Sequence, residues 1–146
     1  MKQFRYKLNA VLKLREFEKK KVENQLGLIN QEIAKIISEI ETHHEGIQRA
    51  HEQINQFEHT KKISMGMIKS FPEYLSATTK EVERLSLILS EKKNIREDIL
   101  KALGEISGKV KILEEDEKKK RKDHYKKEQK KVESNIEEMR IILRGA

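Results

Sequence analysis

Leu26-Gly27-Leu28-Ile29-Asn30-Gln31-Glu32-Ile33-Ala34-Lys35-Ile36-Ile37-Ser38-Glu39-Ile40 is the stretch that decides the fold. Leu26, Ile29, Ile33, Ile36 and Ile40 recur at gaps of three and four, and the register extends back to Val22 and on through Ile47, Ala50, Ile54 and Phe57. His43 is the one interruption in eleven positions. Two apolar positions in every seven residues mark a helix seam that packs on another helix. A buried strand needs period two and turn signals, and neither is present.

A second seam supplies the partner. Leu75, Thr78, Val82, Leu85, Leu89, Lys92, Arg96, Ile99, Leu103, Ile106, Val110 and Leu113 keep the same repeat, nine of the twelve being apolar. Between the seams, residues 58–70 have no sustained period and include Gly66. Ser70-Phe71-Pro72-Glu73 reads as a capping box, with proline in a first turn where its missing N–H is no loss. The expected fold is all-α: one domain, 1–146, with two long helices forming an antiparallel coiled-coil hairpin. Helix one covers about 4–59, the turn about 60–70 and helix two about 71–143. Asn9 is the candidate cap of helix one, while Phe4, Leu8, Val11 and Leu12 at helical spacing favour an earlier start.

Setting Ile47 against Leu85 pairs Phe57 with Leu75, Ile33 with Ile99, Leu26 with Ile106 and Val22 with Val110. Lys92 then faces Ile40 and Arg96 faces Ile36, their stems lying along the seam with the charge in water. A slip of one heptad satisfies the same pattern. In this register Leu8 faces about His124, so helix two overshoots by about twenty residues, or roughly 30 Å. Val132, Ile136, Met139 and Leu143 then form an apolar stripe without an intramolecular partner, a frayed end or a docking surface. Leu14 and Phe17 lie off the main stripe and either cover the seam's flank or face a partner. Gly27, Gly104 and Gly108 are read as a close helix approach or tolerated weakness, ahead of a flexible joint.

Composition agrees with long helices: among 146 residues 39% are charged, 5% aromatic and one is proline. There is no cysteine, hence no disulfide or thiolate metal site. No run reaches the ~18 apolar residues of a membrane span. The opening Met1–Lys7 is basic without an apolar core, so no secretory signal is expected and a cytoplasmic protein is the default. The net charge of +7 is bipolar: residues 1–22 and 118–146 each carry +6, and 23–117 carry −5. Such asymmetry concerns partners and solubility.

Catalytic signatures are missing. There is no Walker A loop, dinucleotide fingerprint or nucleophile elbow. His44 and His51 are two turns apart, too far to share a metal, and His43 sits in the seam. A two-helix hairpin offers its carboxylates no closed pocket. No enzyme, cofactor, metal or small-molecule substrate is expected. Lys118–Lys131 holds nine basic residues and two acidic ones, with Tyr125 alone interleaved as an aromatic. Nucleic-acid binding is the sharp interpretation of that run and a solvated helix face the plain one, since no helix-turn-helix or zipper order accompanies it.

The opening Phe4-Arg5-Tyr6-Lys7-Leu8-Asn9-Ala10-Val11-Leu12-Lys13-Leu14-Arg15-Glu16, leading into a hairpin of this length, resembles the FliJ family of flagellar type III export proteins. The match in detail covers about the first fifteen residues, and the architecture covers the rest. A stalk protein of virulence type III secretion is the close alternative. Family members resemble the γ stalk of rotary ATPases. They sit in the central hole of the hexameric export ATPase, promote ring assembly, touch the cytoplasmic domain of the export gate and help recycle export chaperones. The resemblance implies a cytoplasmic protein, peripheral at the inner-membrane export apparatus. It implies ring contact by residues 4–22 and 118–143, with Phe4, Leu8, Val11, Leu14, Arg15, Val132, Ile136, Met139 and Leu143 as candidates. It implies gate contact at the hairpin tip, where Phe71 and Tyr74 are the best candidates, with His44 and His51 behind them. A basic hairpin that binds nucleic acid is the competing function, and a homodimer through the open end a third.

Overall fold

The computed structural model describes residues 2–60 and 65–145, without the side chains of 58–60, 65, 67 and 68. Two helices account for nearly all of it: α1, Asn9–Thr60, and α2, Met65–Gly145. Among the described residues there is no strand. The fold is the expected all-α antiparallel helical hairpin. Contacts group the chain into two compact units, residues 1–23 with 102–146, and residues 24–101.

In the second unit the seam is legible in burial. Ile29 and Ile33 on α1 and Thr78 and Leu85 on α2 are buried, and Leu26, Ile36, Ile40, Ile47, Ala50, Ile54, Leu75, Val82, Leu89 and Ile99 are half-buried. His43 is half-buried too, so the seam passes through it. Leu28, one residue from the seam, is 62% exposed. The polar seam residues Lys92 and Arg96 are half-buried, and Lys92 Nζ reaches Glu32 Oε2 at 3.0 Å.

That ion pair corrects the register. With Ile47 against Leu85, Lys92 would stand level with Ile40, two helical turns from Glu32. Instead the helices are paired about one heptad away. His51 packs edge-on against Phe71, with ring centroids 4.9 Å apart, and the Tyr74 hydroxyl lies beside Gly46. The first unit shows the same slip: Leu12 is buried with Val110 and Tyr6, and Leu113 and Phe4 pack around them. The physical reason is visible at Leu12. The sequence-based register would have set it level with Lys120 in the lysine run, while the observed one sets it in an apolar cluster.

Both helix starts differ from expectation. Residues 2–6 are not helical; the chain turns at Tyr6, whose carbonyl accepts from the Asn9 N–H at 3.2 Å. The Leu8 carbonyl accepts the first helical bond, from Leu12 N–H at 2.9 Å, so Leu8 and not Asn9 holds the cap position. Continuing the helix back to Phe4 would gain a turn on the surface and lose the burial of Tyr6. At the other end α2 begins at Met65, ahead of the capping box, and Pro72 lies inside it. Pro72 forfeits the backbone bond to the carbonyl four residues earlier, a loss confined to the helix's opening turns. Of the expected turn at about 60–70, residues 61–64 lie outside the described residues.

Gly27, Gly104 and Gly108 are not points of close helix approach. A Cβ built at Gly27, Gly104 or Gly108 would meet nothing within 4 Å.

Candidate interaction surfaces

In the first unit the extended N-terminal segment is strapped onto α2. The Tyr6 hydroxyl donates to Asp116 Oδ2 at 2.6 Å, and Asp116 also takes Lys120 Nζ at 3.3 Å. Phe4 packs against the His124 ring at 5.5 Å between centroids, with the Arg121 guanidinium 5.4 Å from its own ring centre. His124 Nε2 donates to the Lys2 carbonyl at 2.9 Å, which places the proton on that nitrogen. The strap shapes two groups electrostatically. Hydrogen bonding to the Asp116 carboxylate, then desolvation and the charges of Asp116 and Glu117, push the Tyr6 phenol up to about 12. The same bond, with Lys120 behind it, holds the Asp116 carboxyl below the usual carboxylate range.

The candidate ring-contact residues separate into two kinds. Phe4 is half-buried in the strap, and Arg15 is half-buried and bridged to Glu18 at 3.0 Å. Both are engaged within the chain. Leu8, just before α1, and Val11 and Leu14 on it are exposed, and Phe17 is 69% exposed, so Leu14 and Phe17 do not cover the seam. On α2, Val132, Ile136, Met139 and Leu143 are all exposed, Leu143 to 77%, and Ile141 and Ile142 are exposed beside them. Every residue from Gln129 to Gly145 is exposed, about 25 Å of helix with an apolar stripe and no packing partner among the described residues. Upstream, the basic run lies along α2. Arg121 is tied to Glu117 at 3.0 Å and Lys131 sits 3.9 Å from Glu128.

In the second unit three of the four candidate gate-contact residues come together. Phe71 is half-buried under exposed His51, and Tyr74, 43% exposed, leans over Gly46. A Cβ at Gly46 would stand 2.6 Å from the Tyr74 hydroxyl, so this glycine makes room for the tyrosine. Phe71 and Tyr74 line an open groove of about 550 Å³ with Gly46, Ala50, Ile54 and Phe57. His44 is exposed on α1 about two turns before His51 and does not line the groove. Nearer the middle, Glu81 and Arg84 are paired at 2.6 Å; the bond lowers the Glu81 carboxyl and raises the guanidinium.

Sequence reasoning missed the strap and Gly46. The strap's signal is the alternation Phe4-Arg5-Tyr6, which puts both rings on one side of an extended chain. Gly46 carries no signal without Tyr74 across from it.

Among the described residues, no group of three or more His, Asp or Glu side chains is placed to hold a metal, and no helix is long and apolar enough to cross a membrane. The surfaces offer apolar stripes, a groove and positive charge, which are means of binding another macromolecule. No protein family, curated protein or solved structure matches the chain.

Proposed function

We propose that this chain is a coiled-coil stalk of a type III protein export apparatus, of the FliJ kind, working by binding and without catalysis of its own. The observation that carries the reading is the unpartnered end of α2, Gln129–Gly145, whose stripe of Val132, Ile136, Met139 and Leu143 follows directly on a basic run. A helix with an exposed stripe is held in solution by charge and gains stability by inserting into an apolar partner. In the family this chain resembles, the stalk sits in the central hole of the hexameric export ATPase, and that hole is the partner proposed for the stripe. Leu8, Val11 and Leu14, exposed at the start of α1, add to the same role. Phe71 and Tyr74, at the groove in the other unit, are the surface proposed for the cytoplasmic domain of the export gate. Export chaperones are further partners, and the protein works at the inner membrane from the cytoplasmic side. The equivalent stalk of a virulence type III secretion system is the alternative within this reading.

The test is stimulation of the purified export ATPase. Ile136→Asp with Met139→Asp leaves the helix content intact, since both side chains are exposed, and weakens stimulation. Full stimulation by the double variant removes the stripe from the ring contact.

The exposed basic run supports a second reading, a nucleic-acid-binding hairpin. It requires retention on duplex DNA with a steep salt slope. Loss of all binding above roughly 0.1 M salt eliminates it.

A further inference from the structure

The end of α2 is self-complementary, and we infer that it pairs with the same segment of a second copy of this chain, antiparallel, through Val132–Leu143. The inference does not rest on the export reading.

Val132, Ile136, Met139 and Leu143 follow gaps of four, three and four, which is a two-layer-per-heptad seam. In an antiparallel pair related by a two-fold axis, Val132 lies against the partner's Leu143 and Ile136 against the partner's Met139. The seam therefore closes on itself with four apolar layers. The residues flanking the seam decide the direction. Glu133 and Arg140 lie on one flank, and in this arrangement Glu133 comes beside the partner's Arg140 and Arg140 beside the partner's Glu133. Two opposite-charge pairs form by symmetry. On the other flank Ile142, 70% exposed here, covers Asn135 of the partner subunit. Neither Glu133 nor Arg140 has an ion pair in the single chain, among the described residues, so both are available.

The alternatives carry repulsion. A parallel pair sets Glu128 beside the partner's Glu133. An antiparallel pair slipped by one heptad sets Glu133 beside the partner's Glu133 and Arg140 beside the partner's Lys126. Like charges at these flanking positions select against such registers. The interface spans about two heptads, well short of the ~1,600 Å² of a standard stable complex. The association is therefore weak and concentration-dependent, and it hides the stripe only when no other partner takes it.

Sedimentation velocity of the full chain over a concentration series tests this. The expected result is a reversible shift from the monomer mass toward twice that mass. Glu133→Lys alone, or Arg140→Glu alone, sets like charges at both symmetric pairs and weakens association roughly three- to tenfold. The double variant Glu133→Lys with Arg140→Glu restores it. Ile136→Asp abolishes association while circular dichroism keeps the helical signal. A single monomeric species at every concentration overturns the proposal, and the stripe is then left to a different partner such as the ring. A dimer that ignores Ile136→Asp, or single charge reversals that the double variant fails to rescue, overturns it as well. ATPase stimulation by the Glu133→Lys chain, whose self-association is weakened while its apolar stripe is intact, reports on the export reading separately.

Discussion

The Tyr6 hydroxyl and the Asp116 carboxylate, 110 residues apart in sequence, meet at 2.6 Å and tie the N-terminal strap to α2. Phe4, Arg121 and His124 continue the attachment on one side and Leu12 and Val110 on the other. The bond has a pH window. The Tyr6 phenol, raised to about 12, favours the folded strap fully below the ordinary phenol value near 10 and loses that preference as pH climbs through about 12. Asp116, lowered, contributes above the ordinary carboxylate range and loses its contribution as pH falls through its depressed value. The strap is therefore tightest between those limits. Tyr6→Phe is expected to remove the part of the tyrosinate absorbance rise that comes at about pH 12 and to speed amide hydrogen exchange of residues 2–8 at neutral pH. An unchanged alkaline titration would count against the bond.

Position along the seam sets the cost of truncation. Ile33 is 4% exposed and Leu28 is 62% exposed, five residues away on the same helix. Ile33→Ala is expected to destabilise the protein by about 2–5 kcal/mol and Leu28→Ala by about 0.5 kcal/mol or less. Denaturant midpoints of the two variants check this directly, and equal shifts would remove Ile33 from the core.

Lys92 occupies a seam position with a charge. It reaches Glu32 at the surface, and both side chains remain partly in water. Surface pairs of this kind contribute about 0–1 kcal/mol. Lys92→Leu is expected to stabilise by about 1 kcal/mol, because apolar area replaces a stem that must keep its charge wet. Glu32→Gln should change stability by about 0.5 kcal/mol or less. A destabilising Lys92→Leu would show that the ion pair outweighs the seam.

These contacts also show where the sequence was a sufficient guide. Helix existence and the seam were legible because every seam position from Val22 to Phe57, His43 included, obeys one period. Pairing register was not, since a heptad pattern matches itself at every shift of seven. The two registers differ at Leu12, which stands level with Lys120 in one and is buried with Tyr6 and Val110 in the other. Local signals failed where tertiary burial outweighed them: the helical spacing of Phe4, Leu8 and Leu12 gave way to the burial of Tyr6. The Ser70–Glu73 capping box lies within α2, Pro72 included. The exposed end of α2 was readable because its stripe has no counterpart on α1. The groove was only half readable. Phe71 and Tyr74 stand out as aromatic residues near the tip, but Gly46 acquires its meaning from a contact across the seam.

Gly46 and the other helix glycines make opposing predictions. Gly104 and Gly108 sit in α2 with open space where a Cβ would go. Replacing glycine by alanine at either position is expected to stabilise by about 0.5–1 kcal/mol, the helix-propensity difference alone. At Gly46 the same change meets the Tyr74 hydroxyl at 2.6 Å, so the far end of that exposed side chain must shift, which offsets part of the propensity gain. Gly46→Ala is therefore expected to stabilise the natural chain by less than either of those changes. In a Tyr74→Phe background, where the hydroxyl is gone, it recovers part of the ~1 kcal/mol that helix propensity offers. The double-mutant cycle over Gly46 and Tyr74 measures the clash as a coupling energy. A coupling near zero would mean that Tyr74 does not rest on Gly46, and the groove's wall would have to be drawn without it.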